Sequence, residues 1–243
     1  IGILLAYFLL ISIGSDAYKP IFALSIIPAL CALGMFVFIK EKREQRPPVR
    51  REPFWKNAKA LNGNLKLYLA VAFIFTLGNS SNTFLLLRAN DIGFSSADVI
   101  LLYFIYNLVS ALLAIPFGKR SDRIGRKKVL IAGYLTFALV YLTFAFATAR
   151  WMLIGAFVLY GFYTAMVTGV ERAFIAEIAP PDMKGTMLGL HSTLVGVALL
   201  PASIIAGALW GVLGPFAPFA LGALLSLIAA LLLGLFFHSD KAS

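Results

Sequence analysis

Seven long apolar segments, separated by short stretches that hold almost all of the charge, constrain this sequence more than any other feature. The hydrocarbon core of a bilayer is about 30 Å thick, and about 20 helical residues are needed to cross it. Only 13% of the residues are charged, whereas soluble domains carry about 25%. Backbone groups in lipid must be hydrogen-bonded within the segment, which favours helices. The sequence therefore predicts an all-α, polytopic membrane protein with spans at 20–39, 67–87, 97–117, 128–148, 151–176, 185–210 and 214–237.

The positions of the basic residues predict how these spans are oriented. The net charge is +10, and basic surfaces often bind nucleic acid, but the Lys and Arg residues lie at the ends of apolar segments, which excludes that partner. They collect between residues 40 and 66, near residue 120 and at Lys184, so these loops are expected in the cytoplasm. Counting the spans places the C-terminus there as well. We expect a multi-pass protein of the cell (inner or plasma) membrane, in contact with its lipids.

The charge pattern also divides the chain into three regions. The apolar stretch 1–13 is too short for a span, so it is interpreted as the end of a cut helix in a fragment of a longer chain. Residues 1–39 then contain this partial helix and one full span. Residues 40–66 are strongly charged and contain Pro47 and Pro48, which predicts a basic cytoplasmic linker. Residues 67–243 contain six spans.

The stretch GKRSDRIGRKK, residues 118–128, lies between two of these spans. It resembles the cytoplasmic loop signature of the major facilitator superfamily, G-x-L-a-D-r-x-G-r-k, with Arg120 at the usual leucine position. The resemblance implies a latch that closes between the two halves of a transporter in its outward-facing state. An ordinary basic loop of a membrane protein is the alternative. The implied latch residues are Gly118, Asp122, Arg123, Gly125, Arg126 and Lys127.

A second stretch, EIAPPDMKG at residues 177–185, is similar to the family pattern E-x-x-P-x-x-x-R-G at the end of the tenth helix, with Lys184 in place of Arg. On this alignment residues 1–39 are the end of the N-terminal half, with partial helix 5 and helix 6, and residues 67–243 are the C-terminal half. The missing N-terminal half is then a partner. The sequence predicts a cytoplasmic charge network of Glu171, Arg172, Glu177 and Lys184, and a plain turn with surface charges is the alternative.

Polar side chains within the spans predict a substrate cavity, because such groups usually face the bundle or water. The run 79–83 follows Gly78 near the middle of its span and resembles the discontinuous helices of transporter sites. Tyr103, Tyr106 and Asn107 share one face of the next span. Interhelical packing by small polar residues is the alternative. The predicted cavity residues are Asn79, Asn82, Tyr103, Tyr106, Asn107, Tyr160, Tyr163 and Thr164.

The sequence also predicts roles for two ionisable residues within the spans and a lipid-facing location for two of the spans. Glu171 is the strongest candidate for a proton-coupling carboxylate, although a salt bridge at a gate is the favoured interpretation. For His191, a hydrogen-bonded structural role is favoured over titration near neutral pH. The spans 128–148 and 214–237 have no ionisable residue within their apolar core, so we expect these two to face lipid.

Together these features predict a secondary active transporter that moves a small solute by alternating access and is driven by a proton or another ion gradient. The aromatic content and the few fixed charges favour efflux of a hydrophobic or amphipathic compound. An importer of a sugar or organic acid and a non-transporting membrane sensor are the alternatives. The sequence contains no Walker-type loop and no catalytic or metal-spaced cluster, so no enzyme activity, metal or cofactor is expected. A single cysteine, Cys31, excludes a disulfide framework.

Overall fold

The computed structural model of this protein describes residues 2–13, 18–36 and 62–237. They belong to two compact units, one within Ile1–Lys59 and one within Ala60–Ser243. The secondary structure of the described residues consists of helices, without strands. This confirms the all-α prediction.

The first unit contains two apolar helices, α1 (Gly2–Ile13) and α2 (Tyr18–Phe36). The helix α2 covers the predicted span 20–39 as far as Phe36, the last residue described there. Most of the predicted linker, up to residue 61, lies outside the described residues. The linker and its cytoplasmic location therefore stay predictions.

The second unit contains the six membrane-length helices that the sequence predicts after the linker. One of them is interrupted: α3 (Gly63–Gly78) and α4 (Thr83–Asp91) follow each other along a single apolar stretch of 29 residues. All six are long and apolar enough to cross a membrane. The five uninterrupted helices are α5 (Ser96–Ile124), α6 (Arg126–Phe146), α7 (Arg150–Ile178), α8 (Lys184–Leu213) and α9 (Phe216–Phe236).

The basic motif at 118–128 is helical at nearly every position, and the loop expected there is reduced to one residue. The helix α5 continues beyond its predicted end to Ile124, and α6 begins at Arg126. Gly125 lies between them with a φ of +96°, a conformation that glycine adopts without steric cost. No atom of a neighbouring helix lies within 4 Å of a Cβ atom placed on Gly118.

The core of the second unit is aromatic and is built around α6, which packs against both α7 and α9. Phe137, Tyr141 and Phe144 of α6 are buried together with Phe157 of α7 and Phe219 of α9. The ring centroids of Phe137 and Tyr141 are 4.0 Å apart, and those of Phe144 and Phe219 are 5.3 Å apart. Aromatic pairs of this kind contribute about 0.5–1.5 kcal/mol each beyond the area that they bury.

This packing differs from the expectation that α6 and α9 are the lipid-facing helices. In the most apolar stretch of α6, 56% of the residues are buried, and in that of α9, 39%, against 17% in α5 and in α8. Lipid tails and apolar side chains are chemically alike. The absence of ionisable residues therefore identifies an apolar neighbourhood, but it does not distinguish lipid from a packed helix.

The interrupted helix crosses α9 at a pair of glycines. A Cβ atom placed on Gly222 of α9 would lie 2.5 Å from the carbonyl oxygen of Gly78 and 2.5 Å from the Cδ1 atom of Tyr141. Real Cβ atoms do not approach backbone oxygens this closely, so the two helices contact each other through their backbones. The end of α3 is therefore positioned directly against α9.

We expect Gly222→Ala to lower the thermal unfolding midpoint of the full-length protein in detergent. Forcing a methyl group into a packed contact costs about 1–3 kcal/mol, and the contact atom on Gly78 belongs to the backbone and cannot rotate away. The matched control is Gly234→Ala on the same helix, where the added Cβ would meet only Ile131 Cδ1 at 3.9 Å. Equal midpoints for the two variants would contradict the close crossing.

Candidate functional site

The break between α3 and α4 lies where the sequence predicts a discontinuous helix. The helix α3 ends at Gly78, and the backbone N–H of Asn79 donates to the carbonyl oxygens of Phe75 and Thr76. The chain resumes as a helix at Thr83, whose N–H donates to the hydroxyl of Ser81 at 3.3 Å. The polar side chains of the run therefore satisfy backbone groups that an unbroken helix would have paired by itself.

Both asparagines of the break are hydrogen-bonded to tyrosines of α7. The amide nitrogen of Asn79 lies 3.2 Å from the hydroxyl oxygen of Tyr163. The hydroxyl of Tyr160 donates to the amide oxygen of Asn82 at 2.7 Å. Each broken end is thus held by a separate residue of α7, and four of the predicted cavity residues are brought together.

A row of tyrosine rings continues from this contact onto α5. The ring centroids of Tyr163 and Tyr160 are 5.3 Å apart, those of Tyr160 and Tyr106 are 5.2 Å apart, and those of Tyr106 and Tyr103 are 4.8 Å apart. Tyr106, Tyr160 and Tyr163 are buried, and Tyr103 is half-buried. The row presents apolar faces with hydroxyl groups at their edges.

The other two predicted cavity residues lie elsewhere. Asn107 and Thr164 donate to carbonyl oxygens of their own helices, those of Tyr103 and Tyr160, at 2.8 Å each. Both line a cavity of about 590 Å³ between α5 and α7, which extends to Arg126 at the start of α6. Asn107 and Thr164 are the two predicted cavity residues that line this space.

A second cavity, of about 400 Å³, contains Glu171 and borders on the break. Its lining combines Asn79 and Tyr163 with Glu171, Arg172 and His191. We call this space the Glu171 cavity. It joins the polar groups of the broken helix to an ionisable group, and the remaining lining is mainly apolar or hydroxyl-bearing.

Glu171 is surrounded by donors from three other helices. The hydroxyls of Tyr68 on α3 and Tyr134 on α6 lie 3.2 Å and 3.4 Å from its Oε1 atom, and Nε2 of His191 on α8 lies 3.4 Å from the same oxygen. The side chain of Glu171 is 18% exposed. It therefore lines the cavity, and within residues 62–237 it forms no ion pair with the other members of the predicted charge network.

Sequence reasoning did not identify Tyr68 and Tyr134 as parts of a site. Both are fully buried inside apolar spans, and a buried tyrosine hydroxyl usually has a partner, which is the one signal that the sequence offers. Neither residue lies near Glu171 along the chain, so only the packing of α3 and α6 against α7 reveals the partner.

Arg126 of the predicted latch is the centre of a polar network that contains Glu177, one of the four residues of the predicted charge network. Its guanidinium donates to Glu177 at 2.8 Å, to Asp122 at 3.0 Å and to the carbonyl oxygen of Ala173 at 3.1 Å. The two carboxylates are largely exposed, at 55% and 63%. Arg126 thereby connects the end of α5 to the end of α7.

Among the described residues, five charged members of the two predicted cytoplasmic sets take no part in this network: Glu171, Lys127, Arg123, Arg172 and Lys184. Arg123, Arg172 and Lys184 are exposed and form no ion pair within residues 62–237. Lys127 contacts α9 instead, where its ammonium group donates to the carbonyl oxygens of Gly234 at 3.1 Å and Phe237 at 2.7 Å. A cation at a helix C-terminus is favourable because it interacts with the unpaired carbonyls.

Comparison with known proteins places these features in one family. The profile of the Major Facilitator Superfamily matches residues 67–243. An uncharacterized MFS-type transporter of Methanocaldococcus jannaschii is 37% identical over 223 residues, which cover 89% of this chain and 55% of that protein. The class B tetracycline resistance protein of Escherichia coli is 31% identical over 137 residues, covering 56% of this chain and 34% of that protein. A multi-drug resistance efflux pump PmrA homolog of Lactococcus lactis is 30% identical over 195 residues, covering 75% of this chain and 46% of that protein. The chain thus spans about half the length, or less, of these relatives.

The Glu171 cavity makes a labelling prediction. In a background without native cysteines, we expect Ser192→Cys, in the exposed lining of the cavity, to react with a polar maleimide. The control is Ser226→Cys, because Ser226 is fully buried and donates to the carbonyl oxygen of Tyr134. Labelling is measured on the full-length protein by mass spectrometry, and equal reaction at the two positions would contradict the cavity.

Proposed function

This chain belongs to the Major Facilitator Superfamily, and we propose that it forms the C-terminal half of a secondary active transporter that works by alternating access. The observation that carries the proposal is the broken helix α3–α4, whose two asparagines meet α7 beside the Glu171 cavity. Broken helices at the middle of a membrane span are tolerated where they line a cavity, and they recur at transporter binding sites. The missing N-terminal half supplies the opposite wall.

The cargo that fits this wall is a hydrophobic or amphipathic compound, and the direction is efflux from the cell. The Glu171 cavity is lined by the rings of Phe75 and Tyr163 and by a few hydroxyl groups, and such a lining binds apolar bodies that carry isolated polar groups. Two relatives are named a tetracycline resistance protein and a multi-drug resistance efflux pump. Both names agree with this class of cargo.

The driving force is a proton gradient, and Glu171 is the carboxylate that takes up the proton. Glu171 is the one acidic side chain within residues 62–237 that lines the Glu171 cavity, and an ionisable group inside a membrane bundle is costly unless it has a function. Its neighbours within 3.4 Å are two neutral hydroxyls and one imidazole. The carboxylate can therefore change its protonation state without breaking an Arg or Lys salt bridge.

The network around Arg126 acts as the cytoplasmic latch of the C-terminal half. It lies at the same end of the unit as the basic residues of α5 and α6, the side expected in the cytoplasm of a cell membrane. Lys127 anchors the start of α6 to the end of α9. Asp122, which is exposed, remains available to the other half of the transporter.

Neutralising Glu171 tests the coupling. In efflux-deficient bacteria that express the full-length protein, the wild type should lower the accumulation of a lipophilic cationic dye, and a protonophore should abolish this difference. Glu171→Gln should remove most of the protonophore-sensitive efflux, because the proton has no site. The control is Asp182→Asn, in the exposed turn between α7 and α8. Full efflux by Glu171→Gln would contradict the coupling role, and a wild type without dye efflux would contradict this class of cargo.

The latch role of Asp122 makes a separate prediction. Asp122→Asn should abolish transport in the same assay and leave the thermal unfolding midpoint nearly unchanged, because an exposed ion pair contributes only about 0–1 kcal/mol to stability. Transport is measured in the cells, and the unfolding midpoint is measured on the variant purified from the same cells. Unchanged transport would contradict the latch role, and a large loss of stability would show that Asp122 acts on folding.

A further inference from the structure

His191 lies next to Glu171 in an arrangement that packing alone does not explain. Its side chain is 9% exposed, and its Nε2 atom is 3.4 Å from Oε1 of Glu171. This distance is too long for a good hydrogen bond, and Nε2 has no other hydrogen-bond partner in the described part of the chain. A buried polar atom without a partner costs about 1–3 kcal/mol. The nitrogen therefore lies within reach of the carboxylate but is not satisfied in this state.

The groups that face this pair come from every helix packed around it. Tyr68 of α3 and Tyr134 of α6 direct their hydroxyls at the same carboxylate oxygen. On α7, Tyr163 and Arg172 line the same cavity. The remaining neighbour of α8 is α9, and Phe216–Phe236 contains no ionisable residue. Among the described residues, His191 is thus the one basic side chain with a nitrogen within 4 Å of the Glu171 carboxylate.

We propose that His191 and Glu171 bind the coupling proton as a pair, with the proton held between Nε2 and Oε1. A carboxylate or an imidazolium alone is costly in a buried site, whereas the pair with one proton has no net charge. A second proton neutralises the carboxyl group and leaves the charge on His191. His191 is then a positioning residue that determines when Glu171 accepts a proton. The use of this proton in transport rests on the proposed function, but the pairing does not.

A packing role for His191 makes a different prediction. Its ring is stacked on that of Tyr68, with centroids 6.2 Å apart and planes inclined by 15°. If His191 only filled space, every substitution would disturb Glu171 in a way that depends on its size and shape. If the pair shares a proton, the effect depends on the charge at position 191.

Infrared difference spectroscopy of the full-length protein in detergent separates these cases without a known substrate. The band of the protonated Glu171 carboxyl is identified by its loss in Glu171→Gln and followed during a pH titration. His191→Gln removes the titratable cation, so the band should appear at higher pH than in the wild type. His191→Lys makes the cation permanent, so the band should appear at lower pH. An opposite charge within 4–6 Å shifts such transitions by about 1–3 pH units.

The outcomes are exclusive. Opposite shifts in the two variants support the pair, and equal midpoints, or shifts of the same sign, overturn it. If His191→Lys is not monodisperse by gel filtration, the midpoint of His191→Gln is compared with that of Ser192→Ala, a neutral change in the same cavity. A higher midpoint in His191→Gln than in Ser192→Ala then supports the pair, and equal midpoints overturn it. The pH midpoint of the Glu171 band could follow the charge at position 191 while dye efflux by the full-length protein is insensitive to the protonophore. That result would support the His191–Glu171 pair and contradict the proposed proton coupling.

Discussion

Polar groups that enter an apolar helix bundle must find partners within it, and the second unit is organised around meeting this requirement. The break after Gly78 frees backbone groups that the run 79–83 partly satisfies, and its two asparagine side chains bond to tyrosines of α7. Glu171 meets the same requirement with hydroxyls from α3 and α6. Each of these polar groups therefore fixes one helix against another. The positions at which a polar group would be costly in lipid are the same positions that define the candidate site.

The helix α7 connects these insertions along one rigid element. Tyr163, Glu171 and Glu177 follow each other at intervals of eight and six residues, which correspond to about 12 Å and 9 Å along a helix axis. The first contacts the broken helix, the second lies in the cavity and the third bonds to Arg126. A tilt or rotation of α7 would change all three contacts together, which physically links the three places proposed to bind the cargo, take up the proton and form the latch.

Basic residues hold the ends of the bundle as well as indicating its orientation. At one end Lys127 donates to the last carbonyls of α9. At the other end Arg88 donates to the carbonyl oxygens of Phe144 and Ala147, where α6 ends. Both side chains occupy the negative end of a neighbouring helix, where a cation is favoured. A signature lysine that the sequence associates with a latch thus also has a structural role within its own unit.

The six spans of the second unit, the break near Gly78 and the basic motif were evident from the sequence, because lipid imposes length, composition and charge position on each segment separately. The sequence placed Arg126 in the predicted latch and Glu177 in the predicted charge network, whereas the structure pairs these two residues. Only the tertiary structure decided that Glu171 meets Tyr68, Tyr134 and His191 rather than a cytoplasmic cation, and that α6 is buried. These results depend on which face each helix turns to its neighbours. Since lipid and helix contacts are equally apolar, the pattern along one helix does not contain that information.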